Sequence, residues 1–541
     1  METISSIPSV DLVKHGAEEA MEIITQMPTT WFTAIIVGIL VILLVRRIFR
    51  KRLKLPPGPR NLPIIGAMLS LDKEMHKGLV EQAKKHGPLV YFRLGSHSML
   101  AIQSAEIAEE LFKQKDGQFA SRAHSTILFS LAKYFGFDSK NMGFAPYTQR
   151  LKQLRKVCTK ELLTIPKLSA TEYVRWEEQG EMIKEVESLD GKDFELREVL
   201  HTVAMNVTCR MLFGKRYYGK NVAITKELTE FQELMEDMIA IAGKPNVGDI
   251  IPWLRWLDLQ GMTKQFKKLH DKQEHVLRNI LEDHKMAKKT SANRLASPAT
   301  MDFVDVLLSL RGEDQLPDDT IMATVSDIMM GATDSTLTVV QWAIIELMRH
   351  PESMAKLQKE LDDFVGKNRA LRESDFSQIP YLMAVVKETL RLHPPVPLLI
   401  PRMNEKQTTL HGYDIPENTT VFVNVWAISR DESNWEKADQ FIPERFLDST
   451  VSVNGNDFKY TPFGAGRRQC VGISMGLIMV DRTLGSLIHA FDWLPASGKQ
   501  VADIDNEETY SLVLEPKHPL VCRAVPRLPK VDVYYDPRYV P

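Results

Sequence analysis

The chain has 541 residues, 44% hydrophobic and 26% charged, and its 68 Lys and Arg against 70 Asp and Glu leave a net charge of −2. That balance excludes a disordered, collagen-like or coiled-coil chain and a global nucleic-acid binder. Cys158, Cys209, Cys470 and Cys522 are far apart with no CxxC, which argues against a disulfide framework and a structural zinc site. At about 150 residues per domain, length alone suggests three to four domains.

Between Glu22 and Arg46 lie 23 residues without a formal charge, 11 of them Leu, Ile, Val or Phe in the dense stretch Trp31–Val45. As a helix they span about 35 Å, enough for a hydrocarbon layer about 30 Å thick. A buried core helix competes with this reading but is usually shorter. A cleaved signal peptide would carry a basic flank, whereas this one holds Asp11, Glu18, Glu19 and Glu22. Six cations follow (Arg46, Arg47, Arg50, Lys51, Arg52, Lys54), and by the positive-inside rule they stay cytosolic. The expected organisation is a lumenal tail (1–22), a transmembrane anchor (23–45), a basic and proline-rich tether (46–66) and a cytosolic body (67–541). Leu55-Pro-Pro-Gly-Pro-Arg60 suits an extended strut, since proline fixes φ.

In the body, Val90–Leu94, a Gly95-Ser96 turn and Met99–Ile102 read as a hairpin. From about 104 to 284 apolar residues recur at helical spacing. The basic run Arg150–Lys156 within it reads first as a solvated face. Residues 286–300 form a polar break, and one long helix is expected from about 318 to 349, ending before Pro351. Its middle, Met330-Gly-Ala-Thr-Asp-Ser-Thr336, is a weak turn: Gly costs about 1 kcal/mol against Ala, and hydroxyl side chains compete with backbone bonds. Glu388 and Arg391 share a helix face at i, i+3 and can pair. Last comes Pro462-Phe-Gly-Ala-Gly-Arg-Arg-Gln-Cys470-Val-Gly472, a glycine-rich loop that brings backbone close to something flat. Its two arginines and the following helix start favour a thiolate.

That loop matches F-x-x-G-x-R-x-C-x-G throughout, and here the chain resembles the cytochrome P-450 family of haem-thiolate enzymes. Glu388-Thr-Leu-Arg391 matches the family's E-x-x-R, and Pro443-Glu-Arg445-Phe446 its P-E-R-F. Gly331–Thr336 is similar to the oxygen-activating A-G-x-D-T-T, with Gly331-Ala332 as the small pair and Ser335 at the usual first Thr. Arg155 stands where the family carries the Arg of W-x-x-x-R, with Leu151 in place of Trp. The resemblance runs from Pro56 to about Leu528 and looks most like plant-type microsomal members.

The resemblance implies one mainly helical domain with a small β region, behind a single N-terminal transmembrane helix, rather than three or four domains. It implies haem b (iron protoporphyrin IX) with Cys470 as the metal ligand, and Arg468, Arg155 and Arg402 near its propionates. Phe463 would lie beside the sulfur, with Gly464 and Gly466 shaping the loop. Asp334, Ser335 and Thr336 would relay protons, and Glu388, Arg391 and Arg445 would form a buried structural network.

The implied activity is a monooxygenase that inserts one oxygen atom from O2 into a hydrophobic or aromatic small molecule. Electrons would come from NADPH through NADPH-cytochrome P-450 reductase, at the endoplasmic reticulum membrane, with no nucleic-acid partner. Apolar residues (Ile127, Leu128, Phe129, Met329, Leu398, Leu399) suit a hydrophobic substrate of phenylpropanoid, specialised or fatty-acid metabolism. Two alternatives remain: a haem-thiolate isomerase or dehydratase needing neither O2 nor reductase, and a non-catalytic haem-binding membrane protein.

Overall fold

Leu89–Leu94 (β1) and His97–Ile102 (β2) pair antiparallel from Leu89↔Ile102 to Leu94↔His97, joined by the Gly95-Ser96 turn. Gly95 has φ +57°, and a Cβ there would stand 2.0 Å from the carbonyl oxygen of Ile250, so the turn requires glycine on two counts. Arg402–Met403 (β3) and Thr420–Val423 (β4) complete a four-stranded sheet of order β1-β2-β4-β3, with β2 and β4 parallel. This computed structural model describes residues 53–72, 74–122, 128–219, 226–290, 301–510 and 513–536, with Gly38 alone before them. The expected lumenal tail, the anchor and five of the six cations lie outside the described residues; residues 55–541 cluster as one compact unit.

Helices dominate the rest. Those that position the site are Gln149–Glu161 (α1), Leu196–Phe213 (α2), Lys226–Ala242 (α3), Met262–Thr290 (α4), Asp318–Ala332 (α5), Asp334–Arg349 (α6), Pro380–Leu392 (α7) and Ile473–Ala490 (α8). α6 is buried on all sides and mostly apolar, from Leu337 through Trp342 to Leu347, and it packs against α2, α7 and α8 in the centre of the core. The stretch 318–349 is long and apolar enough to cross a membrane, yet 72% of its most apolar window is buried inside the protein.

The single helix expected over 318–349 is interrupted. α5 ends at Ala332, Thr333 takes φ −87° and ψ −75°, and α6 begins at Asp334. The weak turn read from Gly331 and the hydroxyl residues therefore becomes a real break. The polar segment at 286–300 begins later than expected, because α4 runs through Thr290. Leu398, expected among the substrate contacts, is buried in the cluster of Val90, Phe92 and Phe422 beneath the sheet. Ile127 lies outside the described residues.

Candidate active site

The loop ahead of α8 is shaped by two left-handed glycines, Gly464 (φ +68°) and Gly466 (φ +66°). A Cβ on Gly466 would lie 2.7 Å from the Asp116 carboxylate, so the second glycine is also a close-approach position. The Cys470 N–H donates to the Phe463 carbonyl (3.0 Å), closing the loop. The Gly472 N–H donates to Cys470 Sγ (3.3 Å). Burial pushes the Cys470 thiol up, while that N–H and the Arg155 guanidinium pull it down, so the charged form has two dedicated supports. The residue is nevertheless open to a water-sized group, and the apolar side chains that follow it, Val471, Ile473 and Met475, are only partly covered.

Around this loop four guanidinium groups converge from distant parts of the chain. Arg402 on β3 pairs with Asp116 (2.5 Å) and donates to the Ala465 carbonyl (2.6 Å). Arg468 donates to the carbonyls of Ala120 (2.5 Å), Met142 (3.1 Å) and Ala145. Arg155 on α1 donates to the Gln469 carbonyl (2.7 Å). Arg122 donates to the carbonyls of Gly143 (3.0 Å), Ile400 (2.5 Å) and Pro401 (2.6 Å). Burial lowers the pKa of each, and the neighbouring arginines lower Arg122 and Arg468 further, the latter to about 9. The carboxylates that oppose them are Asp116 and Asp327. Buried cations solvated mainly by neutral carbonyls are costly unless an anion joins them. A flat apolar group with two carboxylates, as haem with its propionates is, would supply that anion beside Cys470.

On the other side of the core, Gly331 is exposed, and no atom lies within 4 Å of where its Cβ would stand. Ser335 Oγ donates to the Gly331 carbonyl (2.7 Å) across the helix break. Asp334 is buried and shares Arg197 of α2 with Glu515, at 3.3 and 3.1 Å. Burial raises its carboxyl to about 6; Arg197 opposes the shift and Glu515 adds to it. Thr336, in the same first turn of α6, is buried.

Glu388, Arg391 and Arg445 come together as one network. Arg391 binds Glu388 through two contacts (2.7 and 2.8 Å), and both side chains are fully buried. Arg445 reaches Glu388 Oε1 at 3.2 Å, and the Ile442 N–H donates to the same oxygen at 2.8 Å. The remaining Arg391 donors take the carbonyls of Ser429, Ala438 and Gln440. Each arginine here contacts a carboxylate, whereas Arg122, Arg155 and Arg468 around the cysteine loop hold only carbonyls among the described residues.

Phe463 is partly buried, and its ring lies 3.8 Å from where a Gly476 Cβ would stand. Sequence reasoning did not find Asp116, Arg122, Arg197 or Asp327. Each lies outside the recognisable motifs and makes a contact at the site with a residue 137 or more positions away, such as Arg197–Asp334.

The comparisons agree with this arrangement. The family described as Cytochrome P450 matches residues 56–523. The chain is 36% identical over 507 residues to a flavonoid 3′-monooxygenase of Petunia hybrida, covering 91% of this chain and 97% of that protein. It is 36% identical over 487 residues to cytochrome P450 98A2 of Glycine max, covering 89% and 94%. A solved zebra fish cytochrome P450 with progesterone superposes with TM-score 0.71 at 25% identity, over 83% of this chain and 99% of that one. A cysteine loop beside a cluster of buried arginines, together with a broken core helix in a mainly helical body with small sheets, is thus accounted for by descent: the chain belongs to the cytochrome P450 family of haem-thiolate monooxygenases.

Proposed function

We propose that this enzyme hydroxylates an aromatic compound of the phenylpropanoid or flavonoid class. Electrons come from NADPH through cytochrome P450 reductase, and the protein is a single-pass protein of the endoplasmic reticulum membrane with its catalytic body in the cytosol. The observation that carries the reading is the break at Thr333, where Ser335 and Asp334 border the opening at Gly331. Enzymes that isomerise or dehydrate without O2 have no need of such a proton path. The substrate class rests on similarity along nine tenths of the chain to proteins named for flavonoid hydroxylation.

Haem held by Cys470 supplies dioxygen activation, its thiolate ligand favouring O–O cleavage. The residues of this chain do the remaining work. The Gly472 N–H and Arg155 stabilise the Cys470 thiolate. Arg122, Arg155, Arg402 and Arg468 would hold the two haem propionates. Phe463 covers the sulfur, and Gly464 and Gly466 let the loop approach. Asp334 takes protons from the side of Arg197 and Glu515, and the Ser335 hydroxyl, parked on the Gly331 carbonyl, passes them into the cavity. Leu128, only partly covered, supplies apolar surface suited to an aromatic ring, whereas the Phe129 ring is covered by Arg255 (3.6 Å) and Met329 is buried in the core.

An exposed apolar surface supports membrane attachment. Trp253 and Trp256 are 59% and 80% exposed, with Leu257 and Leu259 beside them in sequence. Gly95 joins this segment to another apolar one, since it faces the Ile250 carbonyl and donates to that of Ile65, next to the exposed Leu62 and Ile64. Aromatic residues at such a surface suit the lipid–water interface. The test is reconstitution with reductase and a screen of flavanones and hydroxycinnamate esters by spectral shift. The expected result is NADPH- and O2-dependent hydroxylation of a bound compound. Turnover of a bound compound without reductant would contradict the proposal.

A further inference from the structure

Asp327 lies on α5, one turn before Gly331, and none of the recognisable motifs contains it. Its carboxylate is gripped by a loop more than 180 residues away: Asn141 Nδ2 donates to one oxygen (2.9 Å) and the Gly143 N–H to the other (3.0 Å). The Met142 N–H adds a further hydrogen bond. The opposite edge of this loop carries the carbonyls that Arg468 and Arg122 hold. Arg468 Nη1 donates to the Met142 carbonyl (3.1 Å), and Arg122 Nε donates to the Gly143 carbonyl (3.0 Å).

The Met142 carbonyl and the Gly143 N–H belong to one planar peptide unit. Asp327 therefore pulls on one end of a rigid plate, and Arg468 holds the other. Arg122 is attached to the next plate along. Space permits no substitute at Gly143, since a Cβ there would stand 2.8 Å from Asp327 Oδ1, an oxygen already pinned by Asn141. A carboxylate accepting two or three N–H donors is a strong and directional anchor, and its charge also faces Arg122 and Arg468.

We propose that Asp327 is a positioning residue for the cofactor cradle: through the Met142–Gly143 peptide it sets where Arg122 and Arg468 stand, and so how firmly the haem propionates are held. The helix that borders the oxygen side of the cavity is thereby tied to the edge of the ring. The inference does not depend on the substrate class proposed above.

The test uses full-chain holoenzyme in detergent and measures haem transfer to apomyoglobin in a double-mutant cycle. Asp327→Asn and Arg468→Lys should each speed haem release about tenfold, and the double variant should release haem about as fast as either alone, because coupled residues are not additive. Gly143→Ala, which keeps the charge but displaces the loop, should match Asp327→Asn and serves if that variant loads no haem. A hundredfold, additive effect in the double variant would overturn the proposal. So would a wild-type release rate in Asp327→Asn or Gly143→Ala accompanied only by a lower melting temperature, since that is what a purely structural residue gives.

Discussion

Ser335 donates its hydroxyl to the Gly331 carbonyl 2.7 Å away, across the point where the central helix breaks at Thr333. In an unbroken helix that carbonyl would serve the backbone N–H four residues on. Here a side chain is bound to it beside the exposed Gly331, where it can exchange one partner for another.

Replacing Ser335 with Ala removes the only part of that side chain able to carry a proton. Product formed per NADPH should fall about tenfold or more, while Ser335→Thr restores it. Parallel measurement of NADPH oxidation and product in the reductase-coupled system checks this; unchanged coupling in Ser335→Ala would count against the relay.

Asp334 gives the relay a pH dependence. Burial raises its carboxyl to about 6, against the pull of Arg197, so the ionised form that accepts a proton from water prevails above that pH. Turnover should rise with pH through about 6. Asp334→Asn should flatten the profile, and Arg197→Gln, by removing the opposing cation, should move the inflection upward. A pH–rate profile of the three proteins decides it.

Glu388 and Arg391 are both fully buried, bound to each other and to four backbone groups. Removing one charge strands the other, at a cost of about 3–5 kcal/mol. Glu388→Gln should therefore lower the melting temperature and yield protein largely without haem, as read by absorbance per mole of polypeptide.

His393 stacks on Trp342 (3.9 Å between ring centres) between Glu346 and Glu508, each 2.9 Å away. Burial pushes Glu508 up, but the His393 hydrogen bond and charge, with Arg430 and Lys77, outweigh it and hold it at about 2, below its ordinary 4.5. Burial lowers His393, and the two glutamates outweigh that and raise it above 6.5. The Glu508 contribution is present above pH 4.5 and lost as pH falls toward 2. The His393 contribution is present below pH 6.5 and lost as pH rises past its raised value. Thermal unfolding across pH should show a maximum between these limits that His393→Gln flattens.

The cysteine loop, the Glu388–Arg391 pair and the hairpin at Gly95 were legible because short spacing dictates their chemistry: φ-permissive glycines, an i, i+3 pair, a two-residue turn. Arg445, 57 residues from Glu388, joined them only through the resemblance of Pro443–Phe446 to a family motif. The helix over 318–349 was legible as apolar, and Gly331 with the hydroxyl residues as its weak turn; that the turn opens into a break at Thr333 was not, because periodicity does not register a side chain that captures a carbonyl. Arg122 and Asp116 were invisible for another reason. Nothing next to Ser121-Arg122 or Asp116-Gly117 distinguishes them from surface residues; their partners, Pro401 and Arg402, lie almost 300 residues on and meet them only in the folded chain.

The central claim is that Cys470 holds the haem. Its most direct test is the absorption spectrum of the reduced, carbon monoxide-bound protein, wild type beside Cys470→Ala. The wild type should show the red-shifted band of thiolate-ligated haem, and the variant should lack it. Persistence of that band in Cys470→Ala would contradict the assignment.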